Sequence, residues 1–164
     1  MKRTLARTTL LLLLALVLPR GARADRAPQF DAVTIDGDSV SLADFGGRVV
    51  LVEFWASWCP PCREQLPHAA ALEDEFADLI VLAVSVDTRR DRVERFVERV
   101  RLPRRVLLDP DGHVAARFQL EAMPWAVLIG AEGEVLWAGN RVSDARDVLE
   151  DAMRQIRTSD SGRP

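Results

Sequence analysis

The chain has 164 residues, 22 basic against 25 acidic, a formal charge of −3, and only two cysteines, Cys59 and Cys62. Five of the basic residues fall within the first 24, so residues 25–164 carry 17 basic against 25 acidic, a charge of −8. That balance argues against nucleic acid and anionic membrane as partners, and with Lys2 the sole lysine, Schiff-base chemistry is excluded from the rest of the chain.

Residues 1–24 read as an export signal. Lys2, Arg3 and Arg7 form a basic start, Leu10 to Leu18 are continuously apolar, and Ala22-Arg23-Ala24 fits a cleavage site. Nine apolar residues make about 14 Å of helix, short of a hydrocarbon core of about 30 Å. Cleavage near Ala24 is therefore expected, giving a periplasmic or otherwise exported protein; the competing reading is a retained N-terminal membrane anchor. The 140 residues that follow suit one domain.

Val33-Thr34-Ile35 and Val40-Ser41-Leu42 flank Asp36-Gly37 as a short N-terminal β-hairpin. Val49 to Ala56 is a strand apolar at nearly every position, as expected when both its faces are covered. Pro60 to about Phe76 reads as a helix whose first turn accommodates Pro60 and Pro61; Pro67 inside it is expected to bend it. Leu79 to Val86 is a second buried strand. In the next helix, Asp91 to Val100, the apolar residues are Val93, Phe96, Val97 and Val100, and its arginines alternate with acids, which suggests a solvated, salt-bridged face.

Arg105 to Leu108 is a short strand ending in the turn Asp109-Pro110-Asp111-Gly112, whose aspartates are too few for an EF-hand calcium loop. Trp125 to Ile129 and Glu134 to Trp137 form a second hairpin. A last helix, 144 to 157, is expected to be capped by Ser143, and 158–164 to be a disordered tail. This order predicts an α/β domain over residues 25–157, a mixed central sheet with helices on both faces.

Both cysteines lie in "EFWASWCPPC", residues 53–62. A ring closed over four residues stabilises by only about 2 kcal/mol, less than the roughly 3 of a fifteen-residue loop, so a structural staple is the weaker reading. At the mouth of a helix, Cys59 meets free N–H groups and the helix dipole, which favour thiolate, so it is the expected nucleophile. Cys62, one turn further in, is placed to resolve a mixed disulfide. The prolines contribute no N–H to that thiolate, and weaker thiolate stabilisation favours a reductant.

With these motifs in view, residues 27 to 157 resemble the TlpA/ResA-type thioredoxin-fold proteins, exported relatives of thioredoxin that include the cytochrome c maturation reductants. The resemblance rests on "APQF", "DGDSVSLADFGGRVVLVEFWASWCPPCREQLP" and "MPWAVLIGAEGEVL". It implies a thioredoxin-like fold, a thiol:disulfide oxidoreductase, and Pro124 as a cis proline facing the cysteines. Two positions depart from the family pattern: Gln65 replaces an acid three residues after the second cysteine, and Trp125 replaces a threonine after the proline.

The resemblance also places Glu53 where thioredoxin has a buried acid. Interrupting "VVLVEFWA", it is a candidate acceptor for the Cys62 proton, against the alternative of a glutamate at a sheet edge. Trp58, Pro60, Pro61, Met123 and Trp125 are candidate contacts for a substrate, while Trp55 reads as core. His68 and His113 have no zinc-ligand spacing, and no metal or other cofactor is expected beyond the Cys59–Cys62 disulfide. The expected partners are disulfide-containing proteins and an upstream, membrane-bound thiol donor, with the chain itself a monomer. The alternative is a thioredoxin-like protein that holds Cu(I) on the two cysteines during metal-centre assembly. A peroxidase is disfavoured by the cysteine's setting.

Overall fold

β3, Val49–Trp55, is buried at all seven positions and is an interior strand of the sheet. The computed structural model describes residues 25–161, so the expected export signal lies outside the described residues. A run apolar on both sides can be satisfied only if both faces are covered and both edges paired. β3 meets both conditions, pairing in parallel with β4, Leu79–Ser85, and antiparallel with β6, Trp125–Ile129.

The other strands are β1 (Asp31–Thr34), β2 (Ser39–Ser41), β5 (Arg105–Leu108) and β7 (Val135–Gly139). The seven strands run in the order β2-β1-β5-β4-β3-β6-β7 in one mixed sheet. The parallel β3–β4 pair requires a crossover, which is α1, Pro60–Glu75. α2, Arg90–Val97, makes the crossover from β4 to β5. α3, His113–Arg117, is a short helix between β5 and β6, and α4, Arg146–Ser161, closes the described chain.

Strand alternation divides the core. Val50, Val52 and Phe54 face Phe30, Leu42 and the α3 residues Val114 and Ala115. Val49 and Leu51 face α1 and α4, through Ala69, Leu72, Leu149 and Ala152. Trp55, on that second face, packs with Leu66 of α1 and with Val93 and Phe96 of α2; its ring centroid lies 4.8 Å from that of Phe96. Helices therefore cover both faces, as the sequence suggests, with α1, α2 and α4 together on one.

Several local expectations change. α2 runs from Arg90 to Val97 rather than to Val100, while helix is present on both sides of Pro67 in α1. Ser143 is not a helix cap: it lies inside a 3-10 turn, Val142–Ala145, and its hydroxyl donates to Asp144 at 3.3 Å. That turn precedes α4, which starts at Arg146 and runs past 157 to Ser161, since no glycine or proline intervenes before Gly162. No described helix is long and apolar enough to cross a membrane.

The Asp109–Gly112 turn owes its form to packing. Gly112 adopts φ 69°, a left-handed conformation that costs other residues energy. Asp109 is fully buried and accepts the N–H groups of Val114 and Ala115 at 3.1 and 2.9 Å, so it satisfies the start of α3 from below. His113 Nδ1 lies 3.0 Å from the same carboxylate. Asp109→Ala should leave two buried amides unpartnered and cost about 2 kcal/mol or more, read as a lowered urea midpoint. A loss under about 0.5 kcal/mol would show that water replaces the cap.

Candidate active site

β3 delivers the chain directly to the cysteines. After Trp55 come Ala56, Ser57 and Trp58, and Cys59 then caps α1 with an extended backbone, φ −98° and ψ 102°. Cys59 and Cys62 form a disulfide with an S–S distance of 2.05 Å. Pro60 and Pro61 begin the helix without N–H groups, so the backbone amide reaching the Cys59 sulfur is that of Cys62, at 3.3 Å. Cys59 keeps 6% of its surface exposed and Cys62 none, so a partner meets Cys59 first.

The loop before Cys59 is held by a residue that the sequence analysis passes over. Asp87, two residues beyond β4, accepts the Ser57 N–H at 2.7 Å, the Ser57 hydroxyl at 2.7 Å and the Ser85 hydroxyl at 3.0 Å. Because β3 and β4 are parallel, they end on the same side of the sheet, and Asp87 falls beside Ser57. The available signal was an aspartate ending a buried strand next to the strand that leads to the cysteines.

Glu53 is fully buried and is flanked in register by Ala83 of β4 and Ala126 of β6. It therefore sits in the middle of the sheet, which removes the edge alternative. Alternation puts it on the same face as Leu51 and Trp55, the face that α1 covers with Cys62 and Leu66. Neither carboxylate oxygen has a hydrogen-bond partner among the described residues, and no arginine pairs with it. Desolvation alone pushes its pKa up from the ordinary 4.5 to about 8.

The remaining candidates separate. The Met123–Pro124 peptide bond is cis, and Met123 packs against the cluster that contains Trp55, Cys59 and Cys62. Trp58 is 60% exposed and, with Pro60, lines a groove that also includes Ser57, Arg63 and Glu64. Pro61 is also exposed. Trp125 is brought elsewhere: it is in register with Phe54 and is half-buried against the core on the opposite face. Gln65, standing where the family pattern has an acid, accepts the Val142 N–H at 3.0 Å and so ties α1 to the 3-10 turn. Among the described residues no group of three or more histidine, cysteine, aspartate or glutamate side chains is arranged to hold a metal ion.

A redox disulfide at a strand-to-helix junction, a cis proline and a sheet of this order define a thioredoxin-like thiol:disulfide oxidoreductase. The model of the AhpC/TSA family matches residues 24–138, and the chain belongs to that family. Thiol-disulfide oxidoreductase ResA of Halalkalibacterium halodurans is 30% identical over 118 residues, 70% of this chain and 67% of the relative. Sporulation thiol-disulfide oxidoreductase A of Bacillus subtilis is 30% identical over 144 residues, 82% of this chain and 87% of the relative. Among solved structures, a thiol:disulfide interchange protein of the thioredoxin family from Chlorobium tepidum superposes with a TM-score of 0.69 at 26% identity, covering 80% of this chain and 98% of that one.

The pKa of Glu53 sets a pH signature. Below the ordinary carboxyl pKa of 4.5 the group is neutral whether the chain is folded or not. Between 4.5 and 8 the unfolded chain releases this proton while the folded one keeps it, so stability must fall as pH rises. The full loss, above the folded pKa, is on the order of 4–5 kcal/mol. The urea midpoint of the disulfide form should therefore drop between about pH 5 and pH 9, and drop less in Glu53→Gln, whose amide does not titrate. Parallel profiles for the two proteins would show that water reaches the carboxyl.

Proposed function

We propose that the protein reduces disulfides in partner proteins, with Cys59 as nucleophile, Cys62 as resolving thiol and Glu53 as acceptor of the Cys62 proton. The observation that carries this reading is the buried, unpartnered carboxyl of Glu53 on the face covered by the Cys62 helix. A staple gains nothing from it, whereas a dithiol needs a place for one proton where both Cys62 and Glu53 are buried from solvent.

In this scheme the Cys59 thiolate attacks one sulfur of the partner's disulfide, and the other sulfur leaves as a thiolate that takes a proton from solvent. Cys62 passes its proton to the Glu53 carboxylate, and the resulting thiolate attacks Cys59 Sγ. The Cys59–Cys62 disulfide forms, and the partner's second sulfur is released as a thiolate that also takes its proton from solvent. Two electrons have moved to the partner, which leaves as a dithiol, and Glu53 ends protonated, the state its burial favours. An upstream thiol donor must then return two electrons to the disulfide. Trp58 and Pro60, which line the groove next to Cys59, serve with Pro61 and Met123 as contacts for the partner, with Pro124 beside Met123. The reducing direction is supported by the single backbone N–H at the Cys59 sulfur, since a thiolate with little stabilisation is the better electron donor.

The leader-like residues 1–24 support action outside the cytoplasm, where disulfide-bearing partners persist. The haem-attachment cysteines handled in cytochrome c maturation are a substrate class of this kind.

Alkylation of the reduced protein should label Cys59 before Cys62, and Cys62→Ser should hold partners as mixed disulfides on Cys59. With wild type, the rate of resolution should rise as Glu53 loses its proton toward pH 8. Glu53→Gln should be roughly ten- to a hundredfold slower and lose that rise. Wild-type rates at every pH in that variant would assign the proton to water instead.

A further inference from the structure

Beside the disulfide, α1 and α2 enclose a groove of about 300 Å³ whose rim is cationic. Its floor is made by Ser57, Phe96 and Val100, and its walls by Arg63, Arg92, Arg95 and Arg99. The expectation of a salt-bridged helix face holds for part of this surface: Arg90 pairs with Glu94 at 2.8 Å and Arg95 with Asp91 at 2.9 Å. It fails for the rest. Arg92 and Arg99 have no carboxylate partner among the described residues, and Arg63 lies over the Phe96 ring at 5.4 Å. In a chain whose charge beyond residue 24 is −8, three uncompensated guanidinium groups converge on one groove.

We infer that this groove docks an acidic, extended segment of the disulfide-bearing partner, lying next to the partner's cysteines. The inference rests on the dithiol reading above and adds to it the partner's chemistry. Arg92 lies in the first turn of α2 and Arg99 in the turn that follows its end, so the groove's free guanidinium groups come from both ends of the helix rather than from one point. Three separate side chains, on α1, on α2 and after α2, supply the positive charge here, whereas a small inorganic anion is held mainly by a compact set of free backbone N–H groups. Phe96 and Val100 add an apolar floor suited to a peptide rather than a bare ion. The groove also continues to the sulfur: Ser57 and Arg63 line both it and the second groove formed by Trp58, Pro60 and Glu64. Glu64 is the one carboxylate on that second lining, and Asp87 beneath Ser57 is occupied by three hydrogen bonds.

The test uses the oxidised protein, in which no thiol chemistry can occur, and fluorescent cysteine-free peptides of about seven residues that differ only in carrying glutamate, glutamine or lysine. At about 0.02 M salt, anisotropy should show the glutamate peptide binding roughly tenfold more tightly than the glutamine one, as a few partly desolvated ion pairs would give. Most of that ratio should vanish at about 0.5 M salt. Arg92→Gln with Arg99→Gln should abolish the preference, and Arg92→Lys with Arg99→Lys should preserve it, with melting curves confirming that both double variants fold. Equal affinity for the glutamate and glutamine peptides, or a preference that survives the double glutamine change, overturns the groove. Disulfide-containing versions, given to the reduced protein, separate the two readings. Reduction without preference removes the groove and keeps the dithiol reading, while binding without reduction keeps the groove and removes the other.

Discussion

The parallel pairing of β3 with β4, in register from Val49–Leu79 to Trp55–Ser85, is the constraint on which the site depends. Parallel neighbours cannot be joined by a turn, so the chain must cross over, and α1 supplies the crossing. The same geometry ends both strands on one side of the sheet, which puts Asp87 against Ser57 and the disulfide at the start of the helix. On the other side of β3, the antiparallel strand β6 begins opposite Phe54, so the cis peptide bond that precedes it arrives at the same end. Residues far apart in the chain thus meet around Cys59 because one strand is shared.

Among the described residues four acids are buried near this framework, and their environments differ in whether a partner meets the carboxyl. Asp109 accepts two amides at the start of α3, and Asp87 accepts an amide and two hydroxyls. Glu73 accepts the Arg104 amide at 2.8 Å and has the guanidinium groups of Arg104 and Arg105 within 4 Å. Each of these three carboxylates is held by hydrogen bonds, with guanidinium groups nearby in the case of Glu73, and fixes a loop or a helix end, which is the ordinary reason for a buried acid. Glu53 has none of these partners. Its alanine neighbours in register, Ala83 and Ala126, offer no hydrogen bond, and its place in the middle of the sheet keeps arginines away. Folding tolerates such a group only by keeping it protonated, so its proton becomes exchangeable near neutral pH.

The tryptophans divide in a similar way. Trp55 belongs to the core with Phe96, Trp125 covers the opposite face of the sheet, and Trp58 is left projecting beside the accessible sulfur. The aromatic residue available for contact is therefore the one next to Cys59, and Phe96 links the floor of the adjoining cationic groove to the same packing.

The sequence by itself determined the elements whose cause is local or periodic. The apolar runs at 49–56 and 79–86 mark covered strands, the cysteine pair with its prolines marks a helix start, and the motifs around it mark the fold family. It also placed Glu53 in a covered strand, because a single acid inside an apolar run is visible without coordinates. The tertiary structure alone decided what faces each side chain. Asp87 meets Ser57 across 30 positions, Gln65 meets Val142 across 77, and Trp125 packs on the face of the sheet opposite Trp55, because strand order and register set these encounters. Ser143 reads as a cap in the sequence, yet the 3-10 turn before α4 occupies that place. The absence of any partner for Glu53 was likewise undecidable from sequence. Desolvation is a sum over everything packed around a group, and most of what surrounds this one comes from β4, β6 and α1.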